Sequence, residues 1–223
     1  MDVIELELRN AMSEPGCPVC RLVERFERTE IETILYEHPN DPEVRREFRG
    51  SGGLCTYHAW KVLHLALSNP LLGPHGVSVI YEDVLRSYLS GKVGEDECFL
   101  CRLSREKERT LIESIADRLP ELLDAYAESP SILCRRHYEE ILKLVEDENL
   151  KTRLEEVQKE KLRELDARLV RLIESFDYRS EEKPSEDEKR AVIEAVEFLV
   201  GREVGPHSRR RERREKRWPL RLR

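Results

Sequence analysis

The sequence has few aromatic residues and no long apolar run. Aromatic residues make up 6% of the chain, against 38% for the charged types. No stretch approaches the roughly 18 consecutive apolar residues that indicate a membrane-spanning helix. The acidic segment 1–7 lacks the apolar core of a secretory signal. We therefore expect a cytoplasmic protein without a membrane span.

Common catalytic signatures are also missing. The chain has no His-Glu-x-x-His motif, no Gly-x-Ser-x-Gly motif and no Glu-x-x-His ligand pair. Ser90-Gly91-Lys92 is not a phosphate-binding loop, because the upstream glycine of that motif is absent. We find no complete catalytic apparatus, and the sequence favours a protein that is not an enzyme.

The cysteines, by contrast, follow a pattern that occurs twice. Each copy is Cys-x₂-Cys, a long gap and then Cys-x₂-His, and the two copies contain all six cysteines. Grouped cysteines in the reducing cytoplasm bind metal more often than they form disulfides. The candidate ligands are Cys17, Cys20, Cys55 and His58 in the first copy, and Cys98, Cys101, Cys134 and His137 in the second.

The spacing within these motifs suits a metal ion. Residues three apart share one face of a helix, so each motif can present two donors from one helix start. Two such starts packed together make a Cys₃His cage, which suits tetrahedral zinc. We predict two zinc ions per chain. The nearly equal gaps of 34 and 32 residues favour ligand sets within each copy, although Cys55 and His58 could instead pair with Cys98 and Cys101.

Two other readings of the motifs stay open. The thiolates could hold an iron–sulfur cluster, although such clusters usually have cysteine ligands only. The Cys-x₂-Cys pairs could also be redox-active thiols, although no thioredoxin-like βαβ pattern surrounds them. Inert buried thiols or plain disulfides would leave the histidine of each copy unexplained.

The repetition extends beyond the candidate ligands. A shift of 81 residues matches Cys17, Cys20 and residues 27–29 to Cys98, Cys101 and residues 108–110. A shift of 79 matches the Leu-Cys-x₂-His segments. These matches indicate a duplicated pair of helices.

Apolar residues recur at helical spacing along most of the chain, and no convincing strand is present. We predict an all-α protein with a duplicated helix-pair metal-binding core and a C-terminal helical hairpin. The expected segments are a first repeat (1–92), a second repeat (93–148), the long helix and hairpin (149–206) and a basic tail (207–223). One helix over 98–126 is expected, bent at Pro120.

The tail is the only nucleic-acid signal. Residues 209–223 contain nine basic and two acidic residues, which gives them a net charge of +7. Because the whole chain has a net charge of −7, the rest of it carries −14. Clustered arginines from Arg209 to Arg223 could bind phosphates or an acidic surface. We favour a tail that extends as a solvated helix or folds back on the acidic body over one that binds nucleic acid, and an unknown protein partner is also possible.

The motifs together resemble an uncharacterised prokaryotic family of unknown function. The resemblance rests on Cys-Pro-x-Cys at 17–20, Gly-Leu-Cys-x₂-His at 53–58, the second pair of motifs, Phe-Asp-Tyr-Arg at 176–179 and the apolar helix ending in Gly201. It implies a soluble bacterial or archaeal protein with a duplicated architecture, and no activity. Our leading hypothesis is a zinc-stabilised scaffold or interaction module.

Overall fold

A computed structural model describes residues 3–177 and 183–202 of the chain. The described residues form ten helices and no strand, which confirms the predicted all-α class. None of these helices is long and apolar enough to cross a membrane. The helices are α1 (Val3–Met12), α2 (Pro18–Tyr36), α3 (Pro42–Gly50), α4 (Thr56–Ser68), α5 (His75–Leu89), α6 (Phe99–Asp117), α7 (Leu119–Glu128), α8 (Arg135–Leu144), α9 (Glu148–Glu174) and α10 (Glu186–Val200).

Local signals explain several helix ends. The Asp41 carboxylate accepts hydrogen bonds from the first backbone amides of α3, at 2.8 and 3.3 Å, as an N-cap should. Ser185 and Glu188 form a reciprocal capping box at the start of α10. The single bent helix expected over 98–126 is wrong. The chain breaks at Arg118, and Pro120 lies in the first turn of α7, where its missing N–H costs no helical hydrogen bond.

The described chain forms two compact units. The terminal unit comprises residues 3–25, 107–177 and 183–202, and the central unit comprises residues 26–106. The chain passes from one to the other within α2 and returns within α6, so the units do not coincide with the expected segments 1–92, 93–148 and 149–206. The basic tail 207–223 lies outside the described residues.

In the central unit, α5 packs against α3 and α4. The fully buried Phe48 ring meets the edges of the Tyr81 and Phe99 rings, with centroids 6.1 and 5.2 Å away. Gly76 in the first turn of α5 permits close approach to α2, because a Cβ there would lie 2.4 Å from the Leu35 carbonyl oxygen.

The terminal unit is built on a helical hairpin of α9 and α10. Leu165 of α9 and Ala191 of α10 are buried together with Ile132, which lies just before α8. Helix α7 packs on α9, α8 packs on α10, and α1 packs on α7. The hairpin thus supports the segment that leads into the second Cys-x₂-His motif.

Candidate metal centres

The eight sequence-predicted ligands converge in two groups of four. Within each group, one donor atom from every residue lies within 4.8 Å of the other three, so each group could hold a metal ion. All six cysteines are free. The Cys17 cluster, in the terminal unit, consists of Cys17, Cys20, Cys134 and His137; the Cys55 cluster, in the central unit, consists of Cys55, His58, Cys98 and Cys101.

This grouping corrects the expected pairing within each copy. Each Cys-x₂-Cys motif meets the Cys-x₂-His motif of the other copy. The reason is that α2 and α6 each run for 19 residues away from their cysteines, and the following chain reaches its Cys-x₂-His motif within the other set. Pairing across copies, which the sequence left open, is what the structure contains.

Each cluster is assembled from two helix starts. Cys55 and Cys134 are the N-cap residues of α4 and α8, and Cys17 and Cys98 immediately precede α2 and α6. The second donor of every motif follows three residues later, on the same face. Helix N-termini carry partial positive charge, so they stabilise thiolates.

Backbone hydrogen bonds hold the two motif entrances of each cluster together. In the terminal unit, Ile132 N donates to Gly16 O at 3.2 Å. In the central unit, Asp96 N donates to Gly50 O at 2.8 Å. Each bond joins the segment before a Cys-x₂-Cys motif to the segment before a Cys-x₂-His motif, so these bonds help to bring the two motifs of each cluster together.

A tyrosine hydroxyl fixes the backbone just before each Cys-x₂-His motif. Tyr81 donates to Gly53 O at 2.9 Å. The fully buried Tyr126 accepts from Leu133 N at 3.0 Å and donates to Gln158, whose amide in turn donates to Leu133 O at 2.9 Å. Both backbone polar groups of Leu133 are therefore hydrogen-bonded, which helps to fix the position of the next residue, Cys134.

Both histidines face their sulfur neighbours through Nδ1. The distances from His137 Nδ1 to the sulfurs of Cys17, Cys20 and Cys134 are 3.3, 3.5 and 3.2 Å. In the Cys55 cluster, His58 Nδ1 lies 3.4, 3.5 and 3.3 Å from the sulfurs of Cys55, Cys98 and Cys101. Nδ1 is therefore the nitrogen available to a metal.

The opposite nitrogen of each imidazole faces a buried glutamate. His137 Nε2 lies 2.9 Å from Glu108 Oε1, and His58 Nε2 lies 3.5 Å from Glu27 Oε1. A carboxylate in this position accepts the Nε2 proton and keeps Nδ1 free for a metal. Each glutamate also pairs with a cation, Glu108 with Arg136 and Glu27 with Lys61.

These contacts keep the buried carboxylates charged. Burial alone would raise the pKa of Glu27, but the neighbouring His58 imidazole and the charge of Lys61 lower it to about 2. Burial is likewise outweighed at Glu108, where His137 and Arg136 lower the pKa to about 2. Both glutamates can thus accept a proton from imidazole at neutral pH.

In the Cys55 cluster, the sulfurs around His58 favour its protonated, positively charged form. Burial opposes protonation of His58, but its hydrogen bonds with the Cys55 and Cys98 sulfurs and the nearby Glu27 carboxylate raise its pKa to about 11. Hydrogen bonds from Cys101 and Cys98 lower the pKa of Cys55, while Cys55 and Cys98 raise the pKa of Cys101. A cation among these donors would relieve their mutual repulsion.

The two clusters differ in their access to water. All four residues of the Cys17 cluster are buried, whereas Cys55 is partly exposed in the other. The end of α10 accounts for part of this difference, because a Cβ on Gly201 would lie 3.9 Å from the Cys20 sulfur. The end of the C-terminal hairpin therefore lies beside Cys20.

Sequence reasoning missed the two glutamates as parts of these centres. The 81-residue shift that aligns the cysteines also aligns Glu27 with Glu108, and a repeated buried-site carboxylate was the available signal. Arg21 and Arg102, which directly follow Cys20 and Cys101, pair with Glu14 and Glu47. Of the Phe-Asp-Tyr-Arg motif, Tyr178 and Arg179 lie outside the described residues.

The fold and these clusters define the class: an all-α protein with two Cys₃His groups that could hold metal ions. In a comparison with protein families, the model of DUF6062, a family of unknown function, matches residues 95–205. The expected resemblance to an uncharacterised family is thereby confirmed over that segment. No curated protein and no solved structure matches the chain.

Proposed function

We propose that the protein binds two zinc ions, one in each cluster, and that the zinc is structural. In this proposal each ion ties two helix starts together, and the resulting helical body serves as a scaffold or interaction module. The observation that carries the proposal is the convergence of three sulfurs and one imidazole nitrogen in each cluster.

The spacing of the donors supports zinc. Zinc about 2.3 Å from sulfur and about 2.0 Å from nitrogen, in tetrahedral geometry, separates two sulfurs by about 3.8 Å and a sulfur from the nitrogen by about 3.5 Å. The sulfurs of Cys20 and Cys134 are 3.9 Å apart, and those of Cys55 and Cys101 are 3.6 Å apart. The sulfur–nitrogen distances of 3.2–3.5 Å are also close to this geometry.

The same spacing favours one ion over an iron–sulfur cluster in each group. The ligands of a multi-iron cluster bind different iron atoms, so they stand further apart than ligands that share one ion. All donor pairs here lie within 4.8 Å. The presence of an imidazole in each group also fits zinc better than most clusters.

Closed coordination supports a structural role. A catalytic zinc usually keeps one position for water or substrate, whereas structural zinc takes four protein ligands. Each group supplies four donors, and seven of the eight residues are buried. A structural zinc contributes on the order of 10 kcal/mol to folding, which would matter for a chain of mean hydropathy −0.62.

Metal analysis of protein purified without air, combined with an absorption spectrum, tests the proposal. We expect two zinc ions per chain and no visible chromophore. Iron with a brown colour would replace the proposal with the iron–sulfur alternative, and a single coloured iron per group would also contradict zinc. Metal-free protein with the same fold and stability would refute a structural metal altogether.

A further inference from the structure

A cleft of about 470 Å³ opens between α9, α10 and the loop before α8. Its volume is that of a small-molecule site. Pro15, Ser129, Pro130 and Ile132 form one wall, and charged side chains of α9 and α10 form the rest. None of the eight clustered metal-ligand candidates lines it.

A buried lysine lies at the base of this cleft. Lys161 is 8% exposed, and its Nζ donates to Ser129 O at 2.5 Å. The ammonium also lies 4.8 Å from the centre of the Tyr126 ring. An ammonium has three N–H groups, and the carbonyl and the ring face engage two of them.

Lys161 has no acidic partner of its own. Among the described residues no carboxylate forms an ion pair with it, and burial lowers its pKa although Glu164 opposes that shift. Buried lysines are normally paired, since an isolated buried charge is costly. The neighbouring half-buried cation, Arg168, is already paired through two hydrogen bonds with Glu194.

The rim adds further positive charge. Arg171 and Arg190 line the cleft with their side chains half exposed. Asp187 is 3.9 Å from Arg190, a distance at the outer limit of an ion pair. Four cationic and three acidic side chains line the cleft. Lys161 is the one buried cation among them, and Glu164 is the acidic side chain whose charge acts on it.

We propose that this cleft binds a small molecule through a phosphate or carboxylate group that contacts Lys161. The anion would give Lys161 the direct ion pair that it lacks, and a charge-assisted hydrogen bond to the buried ammonium would form in a low-dielectric setting. Arg190 at the rim would contribute a second, weaker attraction. The small volume and the acidic side chains of the lining, Glu164 among them, select a compact anion over an extended polyanion such as a nucleic acid.

Titration of the full-length protein as purified with inorganic phosphate, followed by two-dimensional ¹⁵N NMR, tests this site. We expect saturable shifts of the backbone amides of Ser129, Ser131, Ile132 and residues 161–168, and a parallel titration with acetate distinguishes a phosphate from a carboxylate preference. Sodium chloride at equal ionic strength must not reproduce the shifts. Shifts that fail to saturate, or that chloride reproduces, would overturn the proposal.

Two variants and a matched control locate the anion. Lys161→Met should weaken binding about tenfold or more, the loss expected for one charge-assisted hydrogen bond. Arg190→Gln, at the exposed rim, should weaken it less, and it serves as the test if Lys161→Met disturbs the fold. Lys159→Met removes an exposed lysine of the same helix that pairs with Glu155, and should bind like the unaltered protein. Equal affinity in all three variants would mean that Lys161 only supports Ser129 and Tyr126.

Discussion

The glutamate behind each histidine decides which imidazole nitrogen is available to a metal. Glu108 and Glu27 are buried, remain ionised and face Nε2. Their role is therefore to orient the ring and to hold the Nε2 proton, a role for which a charged oxygen is better than an amide oxygen. The shorter contact, 2.9 Å at Glu108 against 3.5 Å at Glu27, makes Glu108 the sharper test.

Glu108→Gln should lower zinc affinity of the Cys17 cluster about 10-fold to 100-fold, the usual effect of removing such a partner. Competition with a chromophoric chelator measures the affinity. Glu113→Gln changes a half-exposed glutamate of the same helix, which lies 3.9 Å from Arg109, and should leave the affinity unchanged. Equal affinities in the two variants would show that Glu108 does not tune the site.

The Tyr126 hydroxyl gives a second prediction at this scale. Tyr126→Phe leaves Leu133 N and the Gln158 side chain without their buried partner, which should lower the free energy of unfolding by about 1–3 kcal/mol. Urea denaturation measures it. Tyr138→Phe removes the hydroxyl of a partly exposed tyrosine in α8 and should cost less. A urea-unfolding midpoint of Tyr126→Phe equal to that of Tyr138→Phe would contradict this role of the Tyr126 hydroxyl.

Individual residues were predictable where their chemistry is local. The eight candidate ligands follow from spacing, because the i, i+3 relation within a motif depends on one helix start. Glu27, Tyr126 and Gln158 were not identified, because their importance depends on contacts between segments distant in sequence. Only the repeat match of Glu27 with Glu108 pointed to such a role.

At the scale of elements, both ligand clusters are assembled at helix starts. Helix boundaries could be predicted from caps and prolines, as at Asp41. The pairing of the motifs could not, because a gap of 34 or 32 residues states the length of the connection and not its direction. A 19-residue helix is about 28 Å long, so the chain after α2 or α6 can reach either set of partners.

The unequal burial of the two clusters predicts unequal zinc release. Because Cys55 is partly exposed while the whole Cys17 cluster is buried, a chelator should remove zinc from the Cys55 cluster first. EDTA treatment followed by timed alkylation and mass spectrometry should therefore label Cys55, Cys98 and Cys101 before Cys17, Cys20 and Cys134. Simultaneous labelling of all six thiols, or labelling of the Cys17 cluster first, would contradict this order.

At the scale of the whole molecule, each compact unit contains one complete ligand group. The α2 and α6 helices carry this arrangement. In each, a glutamate follows the Cys-x₂-Cys motif by seven residues and faces the histidine of the other cluster. The repeated motifs thus form two similar centres, because each Cys-x₂-Cys motif joins the Cys-x₂-His motif of the other copy. Each unit should therefore depend chiefly on its own metal.

Loss of one ligand should therefore reveal the pairing through the reactivity of distant thiols. Cys134→Ser should reduce bound zinc from two ions to one per chain and make Cys17 and Cys20, more than 100 positions earlier in the sequence, reactive to alkylation. Cys98 and Cys101 should stay protected, because their partners Cys55 and His58 are unchanged. The matched variant Cys55→Ser should do the opposite, exposing Cys98 and Cys101 while Cys17 and Cys20 stay protected. If Cys134→Ser instead exposed Cys98 and Cys101, the ligands would pair within each copy, and the pairing of motifs across copies would be wrong.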